Sequence, residues 1–279
     1  MSVAAGPRRS RPRKRFGQHF LVDRVAIGGI VGLVQPMPGE VVVEVGPGRG
    51  ALTGPLLAAL PRLVAVEVDR DLVALLRERF PQPHLRLVEA DILRLDLGAV
   101  RREERAEKLL VVGNLPYNIT APLLFRLLEQ AAHIRGAVVT VQREVARRLT
   151  ARPGSRDYGL TTVLLGMQAD ISVRLEIGRQ AFRPVPAVEA TVLELRFLKE
   201  WRHVVRHPEA FGRLVRAAFG QRRKMLHNSL AGLLGGAPET TLEAAAAQAQ
   251  VDLRRRAESL SVEEFARLSE ALAERQADG

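Results

Sequence analysis

From residue 41 the apolar positions of the chain come in two rhythms. Short unbroken runs, VVVEV at 41–45, RLVAVEV at 62–68, HLRLVEA at 84–90, LLVVG at 109–113 and GAVVTVQ at 136–142, have the length and β-branched content of strands covered on both faces. Between them ALTGPLLAAL at 51–60, RDLVALLRERF at 70–80, APLLFRLLEQAA at 121–132 and REVARRL at 143–149 repeat apolar residues at helical spacing. Upstream, RVAIGGIVGLV at 24–34 reads as an amphipathic helix with Asp23 as its N-cap. Two more strands are expected near 171–177 and 191–197. Strand–helix alternation of this kind implies right-handed crossovers and an α/β fold, an open, doubly wound parallel sheet.

From about Trp201 the strand rhythm stops. Segments 208–220, 222–234, 240–250 and 261–275 all carry helical periodicity, and Ser261 with Glu264 stands at capping-box spacing. The expected organisation is a tail over 1–15, an α/β domain over 16–200 and a small all-helical domain over 201–279. A chain of 279 residues can bury a core for such a pair.

Charge changes the picture of what this fold meets. Lys and Arg number 42 against 31 Asp and Glu, a formal net charge of +11. A polyanion binder needs such a surplus; an enzyme for small metabolites rarely does. The cations also cluster. PRRSRPRKR at 7–15 holds six of them and no acid, with Arg13, Lys14 and Arg15 at its end, and Arg222, Arg223 and Lys224 follow in QRRK. Such segments neutralise phosphates without reading sequence. The chain has no cysteine, its six histidines are scattered, and no apolar stretch reaches membrane-spanning length. Disulfides are excluded, no metal site is expected, and a cytoplasmic monomer is the expectation.

The chemistry concentrates at the strand ends. Gly46, Gly48 and Gly50 follow the first strand as G-x-G-x-G and precede a helix. Glycines there let the backbone approach a ligand and leave the helix N-terminus open, although the spacing is not that of dinucleotide binders. Glu67 ends the next strand, 21 residues after Gly46, where a carboxylate can accept both hydroxyls of a ribose. Asp91 ends the third, placed to accept from an adenine amine, and Ile92 follows it. Three successive strand ends thus describe an adenosine-bearing ligand without a pyrophosphate, which S-adenosyl-L-methionine satisfies. After the fourth strand comes Asn114-Leu115-Pro116-Tyr117. An exocyclic amine is a poor nucleophile because its lone pair is delocalised into the ring. The Asn114 carboxamide oxygen and the Leu115 carbonyl can hold its hydrogens, Pro116 stiffens the turn, and Tyr117 offers a stacking face. A base held there must first leave its helix. Phe182, in the Pro-rich stretch FRPVPAVEA, is either a plug into the core or the opposite jaw of a base clamp.

These residues, in this order, resemble the ribosomal RNA adenine dimethyltransferase family. The matching segments are RKRFGQHFLVD at 13–23, VVEVGPGRGALT at 42–53, VEVD at 66–69, ADIL at 90–93 and GNLPYNIT at 113–120. They continue with QREVARRLTARPGSRDYG at 142–159, FRPVPAVEA at 182–190 and FGQRRKMLHNSL at 219–230. The resemblance spans about residues 11–272 and is greatest to the housekeeping bacterial branch, which dimethylates two adjacent adenosines near the 3′ end of 16S RNA in the small ribosomal subunit. It implies a Rossmann-like methyltransferase domain with a C-terminal helical domain, His19 and Leu21 as further cofactor contacts beside Gly46, Glu67, Asp91 and Asn114, and a role in subunit biogenesis. His19 stands where the family usually has Asn, Glu189-Ala190 where it has Asp-Ser, and Thr120 where it has Ser.

Three rival readings stay in view. The branch that modifies one adenine of 23S RNA usually has Ile in place of Leu115 and lacks ARPGSRDYG and RRKMLHNSL. A ribosome-assembly factor would use the basic segments with methylation secondary. A DNA adenine methyltransferase shares the amine chemistry but predicts turnover on duplex DNA.

Overall fold

The computed structural model describes residues 19–221, 223–234 and 238–277. Of the basic candidates, Arg13, Lys14, Arg15 and Arg222 lie outside these residues. The chain packs as two compact units, one of residues up to Arg143 with Ser172–Arg196, the other of Glu144–Ile171 with Phe197–Gly279.

The first unit is built on the expected sheet. Strands β2 (Glu40–Val45), β3 (Leu63–Glu67), β4 (Leu85–Glu89), β5 (Lys108–Asn114) and β6 (Ile134–Gln142) join β7 (Ala169–Ile177) and β9 (Ala190–Phe197) in the order β4-β3-β2-β5-β6-β9-β7. Pairing is parallel from β4 across to β6. The sheet then turns antiparallel, with Val139 of β6 opposite Leu193 of β9. No α-helix lies between β7 and β9, so β9 does not continue the parallel series and runs antiparallel to β6. Helices α1 (Arg24–Leu33), α2 (Thr53–Ala59), α3 (Arg70–Arg79), α4 (Leu97–Glu103) and α5 (Thr120–Glu129) connect the strands. Asp23 caps α1 as expected, accepting from the Ala26 amide at 2.8 Å. Val43, Val64, Ala65, Val111 and Val112 have no measurable exposure, the mark of strands covered on both faces.

Sequence periodicity gave no sign of one further element. β1 (Phe20–Leu21) pairs antiparallel with β8 (Phe182–Arg183), Phe20 opposite Arg183 and Leu21 opposite Phe182. Two-residue strands are too short to carry a period.

The second unit gathers α6 (Arg143–Leu149), α7 (Leu160–Gly166), α8 (Pro208–Gly220), α9 (Leu226–Leu230), α10 (Glu239–Ala249) and α11 (Val262–Ala277). The sequence boundary near residue 200 separates 144–171 from the C-terminal helices, whereas packing joins them. Buried Tyr158 lies 6.3 Å from Phe219, and Phe219 lies 5.7 Å from Phe265, so one aromatic cluster ties three distant segments. The expected capping box of α11 forms in both directions between Ser261 and Glu264. Among the described residues no helix is long and apolar enough to cross a membrane.

Candidate active site

A cavity of about 1080 Å³ opens at the carboxyl ends of β2, β3, β4 and β5, entirely within the first unit. Every cofactor and catalytic candidate named above lines it except Tyr117, whose side chain lies outside the described residues. Tyr117 does open a single helical turn, Tyr117–Ile119, directly after Pro116.

The glycine loop owes its path to left-handed backbone. Gly46 and Gly48 have φ of +64° and +58°, which side-chain-bearing residues rarely adopt. A Cβ added at Gly46 would meet nothing within 4 Å, while one at Gly48 would come within 3.1 Å of the Phe20 ring. The space over Gly46 therefore belongs to the cavity, and Phe20 of β1 covers the loop at Gly48.

Glu67 closes the loop from β3. Its Oε2 accepts from the Gly48 amide at 3.2 Å, and Oε1 accepts from Val68 and Asp69 at 2.9 and 3.0 Å. Burial raises the carboxyl above its ordinary range, and these backbone donors oppose the rise. A carboxylate accepts roughly four hydrogen bonds, so capacity remains for a hydroxyl. On β4's far side, Asp91 Oδ1 accepts from the Leu93 amide at 3.0 Å, and its side chain is 45% exposed. Ile92 is buried beside it, whereas Val68 is 52% exposed on the same cavity. Val68 and Ile92 supply apolar edges suited to a flat ring, and Val68 is a residue that sequence reasoning passed over.

Glu44 was passed over too. It is 1% exposed, lines the cavity, and accepts from the Thr53 hydroxyl at 2.8 Å. Burial pushes its carboxyl up to about 8; the Thr53 bond opposes this and nearby Glu67 adds to it. Glu44 is thus neutral at pH 7. The signal was present in VVVEV, as an acid inside an otherwise apolar strand.

Asn114 ends β5, opposite Thr140 of β6. Its Nδ2 donates to the His19 carbonyl at 3.1 Å, and since a carbonyl only accepts, this bond fixes the orientation of the carboxamide. The Oδ1 atom is thereby turned to the other side as the acceptor. Leu115 is buried, its amide donating to the Thr140 carbonyl at 3.3 Å. The Pro116 carbonyl accepts from the Ile119 amide at 3.1 Å, which holds the turn. The His19 ring meets the Pro184 carbonyl through Nδ1 at 2.8 Å. His19 therefore bridges the Asn114 turn and the segment carrying Phe182.

Phe182 is 1% exposed and sits in a core with Leu21, Ile30 and Val192. This is the plug arrangement; a stacking role requires the ring to turn out of that packing. Arg223 and Lys224 are exposed in the segment after α8, in the second unit. Among the described residues no group of three His, Cys, Asp or Glu side chains is arranged for a metal ion.

The model of the family described as "Ribosomal RNA adenine dimethylase" matches residues 9–274. A curated "Ribosomal RNA small subunit methyltransferase A" of Anaeromyxobacter sp. (strain K) is 45% identical, covering 94% of each chain. One from Leptothrix cholodnii is 42% identical over 94% of this chain and 92% of its own. Among solved structures, the 23S rRNA methyltransferase ErmE is 29% identical with a TM-score of 0.68, covering 91% of this chain and 99% of its own. A dimethyladenosine transferase from Plasmodium falciparum, 19% identical, shares the fold with a TM-score of 0.76 over 92% of this chain and 98% of its own.

Proposed function

Because this chain belongs to the ribosomal RNA adenine dimethylase family, we propose that it dimethylates the exocyclic amines of two adjacent adenosines near the 3′ end of 16S RNA in the small ribosomal subunit, using S-adenosyl-L-methionine. The observation that carries this reading is the Asn114 carboxamide, oriented through Nδ2 by the His19 carbonyl so that Oδ1 is left to accept. The relatives at 42–45% identity, named for the small subunit, support that target over 23S RNA.

The donor set suits the cofactor. Gly46 leaves open the space a Cβ would enter, Glu67 and Asp91 offer carboxylate oxygens for ribose hydroxyls and an adenine amine, and Val68 and Ile92 flank a flat ring. His19, Leu21 and Gly48 complete the wall. When bound, S-adenosyl-L-methionine supplies an electrophilic methyl group at its sulfonium.

The chain's own residues prepare the acceptor. Oδ1 of Asn114 and the Leu115 carbonyl take the two hydrogens of the adenine amine and draw its lone pair out of the ring. Holding the nitrogen in line makes the reaction effectively unimolecular. Each transfer releases one amine proton to solvent, so after the first a single N–H remains, and either acceptor holds it through a hydrogen bond. After the second none remains, and the hold on the base is lost. Tyr117 is assigned to stacking on the extruded base and Pro116 to the stiffness of the turn, while Phe182 plugs the core behind the site. Arg13, Lys14, Arg15, Arg222, Arg223 and Lys224 are assigned to RNA phosphates, with the α/β unit catalysing and the helices of the second unit docking. The enzyme acts in the cytoplasm as a monomer.

The test is incubation with labelled cofactor and undermethylated small subunits, followed by primer-extension mapping. Arrest at two adjacent adenosines near the 3′ end of 16S RNA is expected. Label confined to 23S RNA or to duplex DNA would overturn the assignment.

A further inference from the structure

Most arginines of the first unit are neutralised where they stand. Arg62 and Arg86 pair with Glu104, Arg70 with Glu89, Arg135 with Glu40 and Arg143 with Glu189. Four arginines line the cavity: Arg49 and Arg79 lie over the Phe20 and Phe80 rings, while Arg24 and Arg183 differ from both. Arg183 of β8 is exposed, and among the described residues its Nη1 donates only to main-chain carbonyls, those of Gln180 at 2.9 Å and Phe182 at 2.8 Å. Carbonyls hold the guanidinium in place without cancelling its charge, and its remaining N–H groups stay available. Arg24 opens α1, is exposed, and has no acid within ion-pair distance among the described residues. The nearby Asp23 carboxylate is engaged in capping the Ala26 amide.

Both arginines stand on segments bonded to the Asn114 turn. Asn114 donates to His19, the His19 ring meets Pro184, and Arg183 lies opposite Phe20 in the ribbon of β1 and β8. Directly opposed residues of an antiparallel pair share a face, and alternate residues along a strand do so too. Leu21 and Phe182 are buried in the core. Phe20, Arg183 and Val22 therefore lie on the other face, and Val22 is 48% exposed. On this apolar and cationic rim Val22 lines the cavity as well; Val25 and Val185, 85% and 46% exposed, stand next to Arg24 and Pro184 in the chain. Of the acids of the cavity, Glu44 and Glu67 are buried behind the glycine loop, and Asp91, 45% exposed, stands beyond the end of β4.

The geometry points to this rim as the docking surface for the single-stranded RNA on either side of the extruded adenosine, with Arg24 and Arg183 on its phosphates and the exposed valines against its unpaired bases. The assignment rests on the function proposed above. It fits the chemistry of an unpaired strand, whose backbone is anionic and whose base faces are apolar. A fixed guanidinium also loses little freedom on meeting a phosphate. Because the rim is bonded to the Asn114 turn, seating the flanking phosphates would bring the target base to its acceptors.

The experiment compares wild type, Arg24→Ala, Arg183→Ala and the double variant for binding to undermethylated small subunits across a salt series. Initial rates and calorimetric binding of S-adenosyl-L-methionine accompany each. Each lost phosphate contact should lower the slope of log affinity against log salt by about 0.7, so the double variant should lose about 1.4. Its KM should rise roughly tenfold, as for the loss of charge-assisted hydrogen bonds, with cofactor binding unchanged. Arg24→Lys and Arg183→Lys should restore the slope. Arg77→Ala, an exposed α3 cation away from the cavity lining, should leave slope and KM as in wild type. An unchanged slope and KM in the double variant would overturn the rim, as would an equal effect of Arg77→Ala or failure of the lysine variants to restore the slope. Wild type that transfers no methyl group to these particles would instead sink the proposed function.

Discussion

Replacing Glu44 with Gln isolates one buried proton. The carboxyl is held at about 8 against an ordinary 4.5, with burial as the main cause. Below about pH 4.5 it carries its proton whether the chain is folded or not. Between there and pH 8 only the folded chain keeps it, so folding stability from this group falls as pH rises through that window. At ~1.36 kcal/mol per pKa unit the whole change is on the order of 5 kcal/mol. Gln keeps an oxygen to accept from the Thr53 hydroxyl and has no proton to lose. The assay is urea unfolding of wild type and Glu44→Gln from pH 5 to pH 9, followed by circular dichroism. Taking the difference between the two curves removes the titrations they share. The variant should gain on wild type by several kcal/mol across the series and level off above pH 8. Parallel curves would refute the claim that Glu44 is neutral in the folded protein. A gain with falling pH would refute its sign.

Three further outcomes follow from the site. Asn114→Ala should lower kcat by about 10²–10³, the scale for losing one preorganised hydrogen-bonding group in an active site. Calorimetry should show its cofactor affinity changing far less, and an unchanged kcat would remove the amine-holding role. Gly46→Ala should cost about 1–2 kcal/mol of stability for the left-handed backbone. Because its Cβ would stand in open cavity space, it should weaken cofactor binding beyond what the unfolding curve accounts for; retained affinity would mean that the cofactor does not approach there. Phe182→Ala should destabilise by about 3–5 kcal/mol, as for a buried aromatic. A stable variant with only a raised KM would show that stacking on the base, not plugging the core, is its main work.

Much of the architecture was legible because it is local. The strand runs, the glycine turn, the acids at successive strand ends, Asp23 before α1 and the Ser261–Glu264 pair all express faces and caps within one or two turns of chain. The same locality brought Gly46, Glu67, Asp91 and Asn114 to one crevice, since parallel strands present their carboxyl ends together.

Tertiary structure decided what distant partners do. The bond that orients Asn114 comes from His19, 95 residues away, and the His19 ring is met by a carbonyl 165 residues further on. Neither contact leaves a period in the sequence. The β1–β8 ribbon is two residues wide, below any rhythm, yet it buries Phe182 and exposes Arg183. Packing likewise places 144–171 with the C-terminal helices, through Tyr158. The charge of Glu44 depends on how completely the sheet and glycine loop exclude water, a property of the assembled core. Sequence by itself determined which groups stand at the strand ends, because that follows from backbone geometry over a few residues. Only the folded chain decided which atoms of those groups remain free to act, because that depends on partners the backbone brings together from far along its length.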